Sequence, residues 1–199
     1  MKSIQIKGSS RTETGKKATH LLRKSESVPC VMYGSQKDEN GKVVATHFCV
    51  PNEGLRNLVY TPHIYVVDLD IDGKVVNAIL KDIQFHPVTD KILHVDFLQI
   101  DESKPIVMDV PVKLEGLAEG VKAGGKLNLQ MRKLKVKAFY NVIPERLVVN
   151  VSSLGLGKSI KVGELQFDGL ELLNAKDAVV CAVNLTRAAR GAQAAANNQ

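Results

Sequence analysis

Apolar residues recur at every second position along most of this chain and at helical spacing in only two places. Ile4 and Ile6 alternate with Gln5 and Lys7, which predicts a first strand over residues 3–8. The period then changes. Within residues 11–25, RTETGKKATHLLRKS, Ala18, Leu21 and Leu22 share one face at three-to-four spacing, and Lys16, His20 and Arg23 share another. The stretch predicts a short helix held by its leucines with its cations outward, and Thr14 is its expected N-cap. Val28-Pro29 ends that helix, and a second strand runs to Gly34. Polar residues 35–42 contain Asn40-Gly41, a hairpin signal, and a strand returns over 43–50. Asn52 is the expected cap of a second short helix with Leu55, Leu58 and Val59 inward; Thr61-Pro62 breaks it. Strands follow over 63–71 and 74–85, joined at Asp72-Gly73, and over 91–99 after a loop at 86–90. The prediction for residues 1–100 is a small, closed or nearly closed antiparallel β-barrel with two short helices.

Asp101-Glu102-Ser103-Lys104-Pro105 reads as a linker, and the texture beyond it differs. Residues 105–114 and 133–140 alternate cleanly, with Ile106, Met108, Val110, Val112 and Leu114 inward in the first and Leu134, Val136, Ala138 and Tyr140 inward in the second. With shorter strands over 147–151, 159–162 and 178–185, residues 101–187 predict a second all-β domain without a helix. The fold class is mainly β. Residues 188–199, ARGAQAAANNQ with its preceding alanine, lack large apolar side chains and are expected to be a disordered tail. No internal repeat is visible.

Composition narrows the function. The 199 residues are 44% hydrophobic, enough for a real core, but only 5% aromatic, so that core must be built from Val, Leu, Ile and Ala. No apolar run reaches the roughly 18–20 residues of a membrane span, and no h-region follows the N-terminal Lys2, so neither a membrane partner nor a signal peptide is expected. Cys30, Cys49 and Cys181 are scattered and odd in number, which points to a reducing cytosol. Net charge is +6, but its placement matters more. Residues 1–24 hold seven Lys/Arg against one acid, Glu13, while 25–100 hold six against ten. A basic start on a mildly acidic body suits a polyanion partner, and nucleic acid is the expected one.

Catalytic signatures are weak. Gly120 to Leu127 nearly matches a phosphate loop, but Leu127 replaces the Mg²⁺-binding hydroxyl and no helix is expected after it. His86, His94 and Asp96 suggest a metal site only loosely, because no further ligand is evident and no Cys-x-x-Cys pair exists. No nucleophile elbow occurs, no small-molecule substrate is implied, and neither metal nor cofactor is expected. The few tyrosines and phenylalanines form no stacking array for single-stranded bases, so RNA would be read as a structured duplex through shape and polar edges. Asp82, Gln84, His94 and Asp96 supply groups for base edges and 2′-hydroxyls. Lys133, Lys135 and Lys137 form a basic row that either meets RNA or guards a sheet edge. Two rival classes are a metal hydrolase built on His86, His94 and Asp96, and a stress-related protein-interaction module.

The ordered set Arg11…Gly15-Lys16-Lys17-Ala18…Leu22-Arg23, Val28-Pro29…Tyr33-Gly34, Asp82-Ile83-Gln84-Phe85-His86-Pro87 and Leu93-His94-Val95-Asp96-Phe97 resembles the bacterial large-subunit ribosomal protein 25 family. Val110-Pro111-Val112, Gly116, Gly120-Val121-Lys122, Gly125, Ile143-Pro144 and Leu154…Gly157 resemble its long form, often called general stress protein, with an added C-terminal β domain. The resemblance implies a non-enzymatic, cytoplasmic constituent of the large ribosomal subunit that binds 5S ribosomal RNA and neighbours other ribosomal proteins. It implies that a barrel face enters a widened minor groove at an irregular internal loop while the helix addresses the adjacent major groove. Carried over by motif, the contacts would be Arg11, Lys16, Thr19, His20, Arg23, Tyr33, Lys81, Asp82, Gln84, His86, His94 and Asp96. His20 and Leu21 stand where relatives often carry further basic residues, so this helix is less cationic than the family pattern.

Overall fold

The computed structural model describes residues 2–34, 44–187 and Ala189. The first elements are β1 (Lys2–Ser10), α1 (Lys16–Lys24), β2 (Ser27–Tyr33), β3 (Thr46–Pro51), α2 (Asn52–Val59), β4 (Tyr65–Ile71), β5 (Lys74–Phe85) and β6 (Ile92–Gln99). Then come β7 (Ile106–Glu115), α3 (Glu119–Lys122), β8 (Lys126–Leu129), β9 (Lys133–Ala138), β10 (Leu147–Asn150), β11 (Ser159–Lys161), β12 (Glu171–Leu172) and β13 (Val179–Asn184). The fold is mainly β, as the alternation predicts. The chain divides into two compact units, Met1–Ile106 with Phe139–Asn141, and Val107–Ala138 with Val142–Gln199.

The first six strands close into a barrel in the order β1-β3-β2-β6-β5-β4. The antiparallel ring expected from sequence describes four of its seams; β1 with β4 and β2 with β6 run parallel. Local hydrophobic alternation is the same in both kinds of strand, so only the long-range pairing distinguishes them. Inward residues fill the interior: Phe48, Val50, Leu55, Val67, Leu69, Val95 and Phe97 are fully buried. The Phe48 and Phe97 rings sit 5.8 Å apart, centroid to centroid, and supply much of the bulk that an aliphatic core otherwise lacks. Cys30 is one more apolar filler, its thiol pushed up to about 12 chiefly by burial. At the β4–β5 turn both Asp72 (φ 50°) and Gly73 (φ 84°) are left-handed, the setting of a tight primed hairpin. The Asp72 carboxylate accepts the Ser10 N–H at 3.0 Å and ties the turn to the end of β1.

Several local expectations are corrected. Thr14 does not cap α1; Gly15 holds that position at φ 109°, which a residue with a Cβ adopts only under strain, and no side chain caps the helix. Asn52 is the first residue of α2 rather than its cap, because its N–H is given to Glu26 O at 2.9 Å and Pro51 stands before it. Leu21 is 65% exposed, and no α1 residue is fully buried. The helix rests on the barrel along the Ala18–Leu22 line, and Leu21 is turned about 100° away from Leu22. The Asn40-Gly41 hairpin lies outside the described residues. So does the expected tail apart from Ala189, which is buried with its N–H on Thr186 Oγ1 at 3.2 Å.

The second unit holds a four-stranded sheet, β10-β7-β9-β12, and a three-stranded one, β11-β13-β8. Leu134, Val136, Leu147, Val149, Val151, Val180 and Val183 are buried within it. Contrary to the helix-free reading, residues 119–122 form a single helical turn and 162–164 a 3₁₀ turn. Four residues are too short to show a period. The turn is set by contact instead: Gly120 donates its N–H to Leu154 O at 2.9 Å, and a Cβ there would stand 2.6 Å from Gly155 C. A strand, not a helix, follows Lys126, so no phosphate loop exists. Strand β9 lies between β7 and β12, so Lys133, Lys135 and Lys137 do not guard a free edge.

Phe97→Ala should destabilise the barrel by about 3–5 kcal/mol, through lost transfer energy and the cavity left against Phe48. Urea denaturation followed by far-UV circular dichroism measures it.

Candidate nucleic-acid interface

Two hydrogen-bonded strands build the polar face. Along β5 and β6 the ladder pairs Asp82 with Asp96 and Gln84 with His94. Residues two apart on a strand share a face, and directly paired residues share it across the ladder, so these four side chains form one cluster. Their neighbours Val95 and Phe97 point into the core, which obliges the cluster to face outward. The β5 bulge at Lys81 makes this register, since it shifts the pairing between Leu80 and Asp82; Lys81 itself is exposed there.

The cluster is ordered by its own contacts. His94 Nδ1 and Asp96 Oδ1 are 2.7 Å apart and both are partly shielded. Asp82 Oδ1 accepts the Ile83 N–H at 2.9 Å. Tyr33 lies close enough that burial first, then the Asp96 and Asp82 charges, raise its phenol, which therefore stays a hydrogen-bond donor at neutral pH. Two carboxylates directly opposite on a ladder repel, at a cost of roughly 0.2–1 kcal/mol.

The basic side is α1. Lys16 opens the helix and is exposed, as is His20 one turn later. Arg23 continues the same stripe, but its Nε donates to Leu93 O at 3.1 Å and tethers the helix to the start of β6. Thr19 is also committed: its hydroxyl donates to Gly15 O at 3.0 Å and Lys16 O at 3.1 Å. Arg11 follows β1 and donates its backbone N–H to His47 O at 3.0 Å. Its Nε and Nη1 are shielded from solvent without a hydrogen-bond partner, as is His47 Nδ1. Each such unmet group costs on the order of 1–3 kcal/mol.

His86 does not join the cluster in the way its motif suggests. Its Nδ1 accepts the Val88 N–H at 3.3 Å and the Thr89 N–H at 3.2 Å, while its backbone closes the 86–91 loop onto Lys91 O and Asp90 N. The ring therefore shapes the loop beyond β5 and leaves Nε2 as its remaining polar atom. Among the described residues, no three His, Cys, Asp or Glu side chains stand together to hold a metal ion. Nor is any described helix long and apolar enough to cross a membrane. Spacing along the chain gives His47 no defined place among the candidate site residues. Only the pairing of β3, which no local signal specifies, shows it in line with Arg11 and Asp96.

Comparison with known proteins identifies the family. The Ribosomal L25p family matches residues 6–97, and the C-terminal domain of ribosomal protein TL5 matches residues 105–187. A protein of Phocaeicola vulgatus named large ribosomal subunit protein bL25 is 81% identical over 196 residues, covering 98% of this chain and 99% of the relative. Proteins of the same name from Bacteroides thetaiotaomicron and Parabacteroides distasonis are 73% and 58% identical, each over 98% of this chain and 99% of their own length. The chain belongs to the bL25 family, in the long form that adds a TL5-type C-terminal domain to the L25p barrel.

Proposed function

We propose that this protein, a non-enzymatic structural constituent of the large ribosomal subunit, binds 5S ribosomal RNA through its barrel and α1. The carrying observation is the outward cluster Asp82, Gln84, His94 and Asp96 beside a cationic helix. Lysine and arginine on α1 neutralise phosphates and set the register on the duplex. The carboxylates repel a phosphate backbone and contribute only where they accept from base amino groups or ribose hydroxyls. Tyr33 donates where they accept. A cluster that joins both kinds of group reads the wide, shallow groove of an irregular RNA helix, where base edges and 2′-hydroxyls are displayed together. Recognition resides in residues 1–100. Lys81 and His86 flank the cluster, one on the bulge and one on the loop, while Arg23 and Thr19 act mainly by holding α1 in place. Residues 101–187 form the second domain. The proposal includes a cytoplasmic, ribosome-associated location beside other ribosomal proteins.

The test is a binding titration of the full chain against 5S ribosomal RNA, with a fully paired RNA of equal length as competitor. Binding that resists the competitor supports the reading, and equal affinity for both RNAs refutes it. Lys16→Gln should weaken binding to both RNAs and reduce the slope of log K against log salt by about 0.7–0.9, the share of one phosphate contact. Asp96→Asn should leave that slope nearly unchanged and lower the preference for 5S RNA about tenfold, at the scale of one lost base-edge contact. Asp82→Asn should separate the two roles in one variant. It relieves the cross-strand repulsion and raises stability by up to about 1 kcal/mol in urea denaturation, while discrimination falls.

A further inference from the structure

The row that ends at Asp82 and Asp96 continues across the barrel in the other direction. Val31 is the ladder partner of Asp96 on one side and of His47 on the other. Beyond His47, the Arg11 N–H donates to His47 O, extending the β1–β3 ladder one pair past Ser10 and Phe48. Ser9 Oγ and Cys49 Sγ touch at 3.1 Å on the outer face, so Arg11 and His47, two residues along each strand, lie on that same face. The flanking Cys30, Phe48 and Val95 are buried, which leaves the row Arg11, His47, Val31, Asp96, Asp82 on the outside at one level. Adjacent strands are roughly 4.8 Å apart, so His47 and Asp96 are separated by about 10 Å across the apolar Val31.

This row is polarised, with a guanidinium at one end and two carboxylates at the other. The basic end is also unfinished. Arg11 Nε and Nη1 and His47 Nδ1 have no partner, and the nearby Ser9 and Cys49 side chains are engaged with each other. Arginine carries donors only, so the missing partner is an acceptor, and a neutral imidazole offers a donor at Nδ1 in one tautomer. A 2′-hydroxyl oxygen is a poor match for several donors at once. A phosphate presents separate oxygens to each.

We propose that His47 is an RNA-contacting residue that, with Arg11, holds one backbone phosphate at the rim of the groove whose base edges face Asp82 and Asp96. This rests on the reading of the barrel as a 5S RNA-binding surface. The shielded guanidinium turns outward on binding, and the three unmet nitrogens gain their acceptors. His47 contributes a hydrogen bond and Arg11 contributes the charge, so the two differ in their dependence on salt.

The experiment compares the full chain with His47→Leu, His47→Asn, Arg11→Gln and the double variant Arg11→Gln/His47→Leu, titrated with 5S RNA over a range of salt. His47→Leu should weaken binding about tenfold, the worth of one hydrogen bond to a charged group, with the salt slope unchanged. His47→Asn, whose amide stands near the Nδ1 position, should bind within about twofold of the unmutated chain. Arg11→Gln should lose affinity and about 0.7–0.9 of slope, and the double variant should be little worse than Arg11→Gln because both contact one phosphate. If His47→Leu binds as tightly as the unmutated chain while 5S RNA is still preferred over plain duplex, this inference fails and the proposed function stands. If the unmutated chain shows no preference, both fail. Should His47→Leu misfold, the unmutated chain decides the matter. The His47 Nδ1 resonance should shift on saturation with an RNA fragment carrying the internal loop, and an unmoved resonance overturns the proposal.

Discussion

The register between β5 and β6 is the constraint on which the candidate interface depends. With the bulge at Lys81, Asp82 stands opposite Asp96 and Gln84 opposite His94; slipped by one residue, the same strands would send these groups into the core and bring Val95 and Phe97 out. The buried aromatic pair Phe48–Phe97 therefore holds the polar cluster in place from the opposite face of the sheet. A closed barrel strengthens this control, because a strand held on both sides cannot shift without shifting its neighbours. Helix α1 depends on the same frame: its Arg23 tether reaches Leu93 O, on the strand that presents His94 and Asp96. The cationic and polar halves of the interface are thus referred to one strand.

Groups that work together divide into those that touch a partner and those that hold the touching groups. Lys16, His20, Gln84 and Asp82 are exposed and have room to reach outward. Thr19, Arg23 and His86 each commit an atom to the protein itself, through back-bonding, a tether and a turn cap. Their occurrence in an RNA-binding pattern does not require direct contact. A helix of nine residues with no side-chain cap is marginal alone, so residues that anchor it act on affinity through geometry.

Alternation made the strands legible, and the basic helix was visible in spacing. The polar cluster could be listed from residue type, since Asp82 and Gln84, like His94 and Asp96, are two apart on a predicted strand. Three things were not legible, each for a physical reason. The caps failed because the α1 cap position needs the left-handed backbone of Gly15, and because Pro51 is paired into β3 while the Asn52 N–H is taken by Glu26 O. The α3 turn failed because four residues packed on Gly155 carry no period. His47 was missed because the row joining it to Arg11 and Asp96 crosses strands distant in sequence, and one of its seams is parallel.

The opposed carboxylates of Asp82 and Asp96 carry the argument about specificity further than the cations do. Lysines on a helix improve attraction to any polyanion, so they say little about which RNA is bound. Two acids placed face to face weaken the free barrel and repel a phosphate backbone as well. That double penalty is offset only by a partner presenting donors at the right places, which plain phosphate never does. With His47 and then the Arg11 guanidinium on the far side of apolar Val31, the row separates the Asp96 acceptor from the His47 donor by about 10 Å, two strand spacings, and from Arg11 by about 14 Å, three. A uniform duplex backbone cannot satisfy both ends at that spacing, whereas a groove with a phosphate rim and exposed base amino groups can. On the proposed reading, discrimination at this face comes from what it refuses to bind.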